Sequence, residues 1–182
     1  MKVELMKQEV PIPEGVDVKV EERLVTIKGP KGENQRKFFG GKVEVTKEGN
    51  NVVISAKQAT KREKTMIGTF TSHVRNMVKG TQEPFVYTLK ICSGHFPMNV
   101  AVNGNQLVVK NFLGEKHPRT MDIIEGSTIK VQGQEITVES TDKEKAGQCA
   151  ARIEILMKVK GRDRRIFQDG IYITNKAGKA IE

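Results

Sequence analysis

Apolar and polar residues alternate with a strand's period in two regions, about eighty residues apart and in the same order. Val16, Val18 and Val20 alternate with Asp17, Lys19 and Glu21, which predicts a half-buried strand. A turn at Glu22-Arg23 leads into a return strand, Leu24-Val25-Thr26-Ile27. Further on, Val100-Ala101-Val102 meets Asn103-Gly104, a favoured hairpin turn pair, and Leu107-Val108-Val109 returns. A second pair follows in each copy. In the first it is Val43-Glu44-Val45, a turn from Lys47 to Asn51, and Val52-Val53-Ile54. In the second it is Ile129-Lys130-Val131, a turn from Gln132 to Gln134, and Ile136-Thr137-Val138.

Each copy then changes period. Met66, Phe70, Val74, Met77 and Val78 recur at helical spacing between Thr60 and Val78, with Gly80 placed as a C-cap. Ala146, Cys149, Ala150, Ile153, Leu156 and Met157 recur likewise from Asp142 to Lys158, with Thr141 or Asp142 as the cap. Further strands are expected at Phe85-Ile91 and Gly170-Thr174. The copies align Val18 with Val100, Val20 with Val102, Leu24 with Leu107 and Gly32-Glu33 with Gly114-Glu115. The expected fold is therefore α+β: two tandem similar domains, each a small antiparallel sheet with a helix packed on one face. The boundaries are expected at 1–82 and 83–182.

Charge adds the class of partner. Lys and Arg number 31 against 22 Asp and Glu, a net charge of +9 and a pI near 9.6. That excess favours an acidic partner. The opening MKVELMKQEV has no apolar run long enough for a signal peptide, and no stretch approaches a membrane span, so no membrane role is expected. Cys92 and Cys149 read as reduced thiols. With no Trp and two Tyr, a broad aromatic platform for single strands is not expected.

Signals for catalysis are sparse. His73, His95 and His117 are scattered; Cys92 and His95 form a C-x-x-H pair, but no second pair completes a zinc site. Gly29-Pro30-Lys31-Gly32 is too short for a phosphate loop and reads as a turn exposing a lysine. No enzyme activity, metal, cofactor or small-molecule substrate is expected.

The basic clusters are more informative. Lys158, Lys160, Arg162, Arg164 and Arg165 lie within eight residues, broken by Asp163 and flanked by Phe167 and Tyr172. Arg forks and Lys charges both suit phosphate oxygens. Lys57, Lys61, Arg62 and Lys64 crowd the start of the first helix, where cations oppose the helix dipole. His73, Arg75, Asn76 and Lys79 lie on its polar side. Lys116, His117 and Arg119 follow Asn111-Phe112-Leu113-Gly114 in a loop.

These segments together resemble one family. Asn111-Phe112-Leu113-Gly114-Glu115-Lys116, preceded by His95-Phe96-Pro97, is similar to the second copy of large-subunit ribosomal protein six, called nine in older eukaryotic naming. Ser72 to Gly80, SHVRNMVKG, resembles that family's first-copy helix end. Asp163 to Tyr172, DRRIFQDGIY, resembles its C-terminal segment in the archaeal and eukaryotic branch. The Thr141–Lys145 connection is shorter than in many eukaryotic members.

The resemblance implies two α+β domains on large-subunit ribosomal RNA, the C-terminal one being the main binder, near the sarcin-ricin loop and the translation-factor site. It implies neighbouring ribosomal proteins as partners and a cytoplasmic place, with nucleolar assembly in a eukaryote. Carried over, it puts Lys158, Lys160, Arg162, Arg164, Arg165, Phe167, Asp169, Gly170 and Tyr172 at or behind the RNA surface. Two readings from other classes compete: a module whose basic faces dock an acidic protein, and a small hydrolase using Cys92 and His95.

Overall fold

The computed structural model describes residues 3–181. The chain divides into two compact units, Met1–Pro84 and Phe85–Glu182. Each is built from the same parts in the same order.

In the N-terminal unit, β1 (Val3–Pro11) pairs with β6 (Asn51–Ala59), which pairs with β5 (Val43–Glu48). A second sheet joins β2 (Asp17–Glu21), β3 (Leu24–Gly29) and β4 (Gly32–Lys37). Helix α1 (Lys61–Gln82) completes the unit. In the C-terminal unit β7 (Phe85–Cys92), β12 (Glu135–Ser140) and β11 (Ser127–Gln132) repeat the first sheet. The second is repeated by β8 (Asn99–Asn103), β9 (Gln106–Lys110) and β10 (Arg119–Asp122), and α2 (Lys143–Leu156) takes the place of α1. Two strands have no N-terminal counterpart: β13 (Gly170–Lys176) lies against the outer side of β7, and β14 (Lys179–Ala180) against β13. All strand pairs are antiparallel.

The tandem α+β reading holds, and each unit has two sheets where one was expected. Of the additional strands, β4 reads GENQRK, charged or amide at nearly every position, while β1 (VELMKQEVP) and β10 (RTMD) mix apolar with charged residues, so their hydrophobic alternation is faint. The alignment of copies also moves by one residue. Val20 faces Val25 and Val102 faces Leu107, so Leu107 corresponds to buried Val25 and not to half-buried Leu24. A one-residue slip would turn the strand's apolar face outward.

The second hairpin turn also shifts. Asn103 pairs with Gln106, leaving Gly104-Asn105 as the loop. Gly104 has φ +59°, the left-handed region that glycine enters without a Cβ penalty.

Helix α1 runs through Gly80, which is buried and not a cap. It stops at Glu83, whose extended backbone suits the residue before Pro84. At its start, the amide and hydroxyl of Thr60 both donate to the Glu63 carboxylate, which offsets the adjacent cations Lys61 and Arg62. Asp142 caps α2, its carboxylate accepting the Glu144 amide at 2.8 Å; the helix ends at Leu156, short of Lys158.

The apolar stripes face the sheets as expected. Ile67 and Val74 of α1 lie in a core with Val18, Ile27, Val52 and Ile54. Ala146, Cys149 and Ile153 of α2 lie in one with Leu89, Leu107, Ile136 and Ile171. The Gly29–Gly32 turn docks on α1 through the Lys31 amide, which donates to Thr81 O at 3.0 Å. A Cβ on Gly29 would lie 2.8 Å from Thr81 Cβ and from its carbonyl oxygen. Gly29→Ala is expected to cost about 1–3 kcal/mol in denaturant unfolding, as overpacking does.

Candidate nucleic-acid interface

The basic run leaves α2 on two apolar anchors. Met157 and Val159 are buried while Lys158 and Lys160 between and after them are exposed. Gly161, with φ +68°, turns the chain, and Arg162, Arg164 and Arg165 follow on an exposed turn. Asp163 organises it. Its carbonyl accepts the Phe167 amide at 2.9 Å, and its carboxylate accepts the Arg165 amide at 3.0 Å and guanidinium at 2.8 Å. The Arg165 bonds hold the Asp163 carboxyl below its ordinary range. Lys158, Lys160 and Arg164 form no ion pair among the described residues.

The far end of the run is locked to the loop after β7. Asp169 is 3% exposed. Its Oδ1 accepts the backbone amides of Gly94 at 2.6 Å and His95 at 3.0 Å, and its Oδ2 meets His95 Nδ1 at 2.5 Å. The His95 ring stacks on Phe167 at 4.6 Å between centroids, 22° from parallel. Arg162 sits over the Phe167 ring, 4.8 Å from its centroid. His95 and Arg162 therefore both pack on the Phe167 ring, and Arg162 remains one of the exposed cations. Tyr172 Oη donates to Gln168 O at 3.1 Å, and its ring lies 3.1 Å from where a Cβ on Gly170 would be. Asp169, Gly170 and Tyr172 are thus a frame for the surface. Next to this lock is a cleft of about 680 Å³ lined by Cys92, Gly94, His95, Ile166, Asp169 and Tyr172 among others.

Burial by itself raises the Asp169 pKa, but the His95 amide, the His95 ring and the Gly94 amide outweigh it and bring it below the usual carboxylate value. A folded pKa below the unfolded one gives stability that is present above the unfolded value, about 3.9, and lost as pH falls through the folded one. Glu115, held down by Arg119, acts in the same direction. Urea unfolding at pH 7 and pH 3 is expected to find the C-terminal unit weaker at pH 3, with a smaller difference in Asp169→Asn.

Arg119 has a different place from its expected neighbours. It donates to both Glu115 carboxylate oxygens at 2.6 and 2.8 Å, to Leu156 O at 2.6 Å and to Lys158 O at 3.3 Å. It also lies 4.3 Å from the centroid of buried Phe112. It caps the end of α2 and ties the 111–118 loop to the basic run. Lys160 and Arg162 lie near enough to that loop to lower the Glu115 pKa further, so the exposed Lys116 and His117 join the same region as Lys158–Arg164.

The N-terminal candidates do not gather. Lys61 and Arg62 lie at the start of α1, and Arg75 and Lys79 in its last two turns, roughly 20 Å along the axis at 1.5 Å per residue. Asn76 is half-buried. His73 is half-buried too, its ring 6.4 Å from that of Phe38. Lys57 and Lys64 are exposed.

Sequence reasoning left His95 outside the expected RNA-facing set. Its His-Phe-Pro run was visible, but only folding brings it to Asp169, 74 residues away. Cys149 is buried, which pushes its thiol pKa up. Among the described residues no cluster of three or more His, Cys, Asp or Glu could hold a metal, and no helix is long and apolar enough to cross a membrane.

Comparison with known proteins agrees with the duplicated architecture. The family model described as "Ribosomal protein L6" matches twice, over residues 12–83 and 96–170. A relative from Methanobrevibacter smithii named "Large ribosomal subunit protein uL6" is 45% identical over 171 residues, 94% of this chain and 96% of its own length. One of the same name from Methanococcus vannielii is 47% identical over 178 residues, 97% of each chain. Another, from Nanoarchaeum equitans, is 44% identical over 189 residues, covering 100% of this chain and 98% of its own length.

Proposed function

The chain belongs to the ribosomal protein L6 family, in its archaeal branch, and from that premise we propose that it is an RNA-binding strut of the large ribosomal subunit. It is a structural ribosomal protein and not an enzyme, so the Cys92/His95 hydrolase reading falls. The ribosome is its place, and ribosomal RNA and ribosomal proteins are its partners. The finer proposal is that the C-terminal unit, Phe85–Glu182, is the main binder. It grips large-subunit RNA near the sarcin-ricin loop and the translation-factor site, in the cytoplasm.

One observation carries this reading: Lys158, Lys160, Arg162 and Arg164 are exposed together on a segment fixed at both ends, by Arg119 at one and Asp169 at the other. Lys116 and His117 extend the patch. Arg165 reaches phosphate by exchanging Asp163 for it. Cations neutralise phosphates and release counterions, which gives affinity and position without reading sequence. RNA shape, through minor grooves and bulges, then supplies selectivity. Lys61, Arg62, His73, Arg75, Asn76 and Lys79 are proposed as secondary contacts from the N-terminal unit.

Hydroxyl-radical footprinting of large-subunit RNA with the purified chain tests the location. Protection beside the sarcin-ricin loop, lost in Lys158→Ala/Arg162→Ala, is the expected result. Protection elsewhere would move the site, and none at moderate salt would favour the acidic-protein docking reading.

A further inference from the structure

β1 is an open edge whose counterpart in the second copy is covered. Among the described residues β1 pairs with β6 alone, whereas β7 lies between β12 and β13. The two strands correspond residue by residue. The Ile12 amide donates to Asn50 O at 2.9 Å as the Ile91 amide donates to Gln134 O at 2.8 Å. Val10 faces Val52 as Leu89 faces Ile136. On the outer side of β7, β13 sets Ile173 opposite Leu89 and Ile171 opposite Ile91, and Ile171 is fully buried. Beside the equivalent Val10 lies a cavity of about 390 Å³. Val10, Pro11, Pro13 and Val78 line it, with Arg75 and Lys79, and no acidic residue does.

We propose that the open edge of β1 and this cavity form a strand-addition site for an extended segment of another protein. The segment runs antiparallel to β1, as β13 runs to β7, but its ladder lies further toward Val3, because the β7 positions Lys90 and Cys92 that face β13 correspond to Pro11 and Pro13. It sets an aliphatic side chain beside Val10 and Val78 and an acidic one beside Arg75 and Lys79.

The backbone fixes the extent of pairing. Ile12 directs its amide to β6, so by alternation Val10, Gln8, Met6 and Glu4 do too, and Val3, Leu5, Lys7 and Glu9 point outward. Pro11 and Pro13 hold the next outward positions and have no N–H to give. They stop a ladder from running on past Glu9, as prolines do on guarded edges. Pairing is therefore confined to Val3–Glu9, and the cavity beyond it receives a side chain. Main-chain bonds supply affinity and the pocket supplies selectivity, the logic of strand addition. An apolar floor flanked by alternating amide donors and carbonyl acceptors suits a peptide better than phosphates.

The test uses the full chain, isotopically labelled, and a synthetic peptide copying Gln168–Ala177. The chain's own β13 already fills the β7 edge, so the free peptide is directed to β1. Shifts at Arg75 and Val78 and slowed amide exchange at Leu5, Lys7 and Glu9 are expected. A scrambled peptide should produce neither. Lys7→Pro removes an outward amide without touching the β6 ladder; with its melting temperature unchanged, it should abolish the effect. No change at β1 with millimolar peptide would overturn the proposal, as would changes confined to residues 158–176. Slowed exchange at the three amides in the concentrated chain alone would overturn it in favour of a second copy. Competition for the same amides by a large-subunit RNA fragment would overturn it in favour of RNA.

Discussion

Asp169→Ala is expected to destabilise the C-terminal unit by about 2–3 kcal/mol, because a buried charged acceptor with three partners is removed and two backbone amides are left unsatisfied. The effect should reach RNA binding as well. Asp169 ties the loop holding His95 to the segment holding Phe167, and the His95–Phe167–Arg162 stack sets where Arg162 projects. Denaturant unfolding of the full chain measures the first consequence, and filter binding to large-subunit RNA well below the melting temperature measures the second. Phe167→Leu is the informative partner variant: it keeps the Asp169 lock and removes the stacking surface. It should weaken RNA binding more than stability. Equal loss of binding in Asp169→Ala at all temperatures, with no loss in Phe167→Leu, would mean the stack does not position the surface.

The second large effect concerns the exposed cations themselves. Replacing Lys158, Lys160, Arg162 and Arg164 together by Ala should reduce the slope of log affinity against log salt by about three to four units. The corresponding loss at 0.1 M salt is on the order of a thousandfold. Thermal stability should change little, because these four side chains are exposed, Lys158, Lys160 and Arg164 make no ion pair among the described residues, and only Arg162 loses a ring contact, with Phe167. Arg119→Ala should behave in the opposite way. Its guanidinium is engaged by Glu115, Leu156 O and Lys158 O, so its loss should lower the melting temperature while changing the salt slope by well under the roughly one unit that a phosphate-contacting lysine contributes. If Arg119→Ala instead lowers the slope as much as a surface lysine does, its internal bonds are exchanged for phosphate on binding.

Much of this was legible because the chain states its plan twice. Val18, Val25, Ile54 and Val74 keep the strand and helix periods that their counterparts Val100, Leu107, Val138 and Leu156 keep, and all eight lie in or against the two cores. Of the strands that were missed, β4 has polar residues on both faces, reading GENQRK, and its partner β3 supplies the apolar side; in β1 and β10 charged residues interrupt a short apolar pattern. The turn register at Gly104 was missed by one residue because Asn-Gly and Gly-Asn are both acceptable local solutions, and cross-strand packing of Val102 on Leu107 decides between them. In the site, the basic run was visible as composition. Its division was not: Arg165 is tied to Asp163, Arg119 is a strut, and Lys158, Lys160 and Arg164 are left outward. Those assignments depend on which carbonyls and carboxylates folding brings within reach. The His95–Asp169 lock spans 74 residues and depends on β13 joining β7, a pairing no local pattern reports.

The central claim is that this chain holds to the large subunit through its 158–165 surface. Sedimentation of tagged full-length chain from lysate on sucrose gradients, beside the four-alanine variant, tests it most directly. The wild-type chain is predicted to travel with the large subunit and with polysomes at higher magnesium, and the folded variant to remain near the top or to leave the particle at lower salt. A wild-type chain found only at the top, or a variant that stays bound as firmly as wild type, would contradict it.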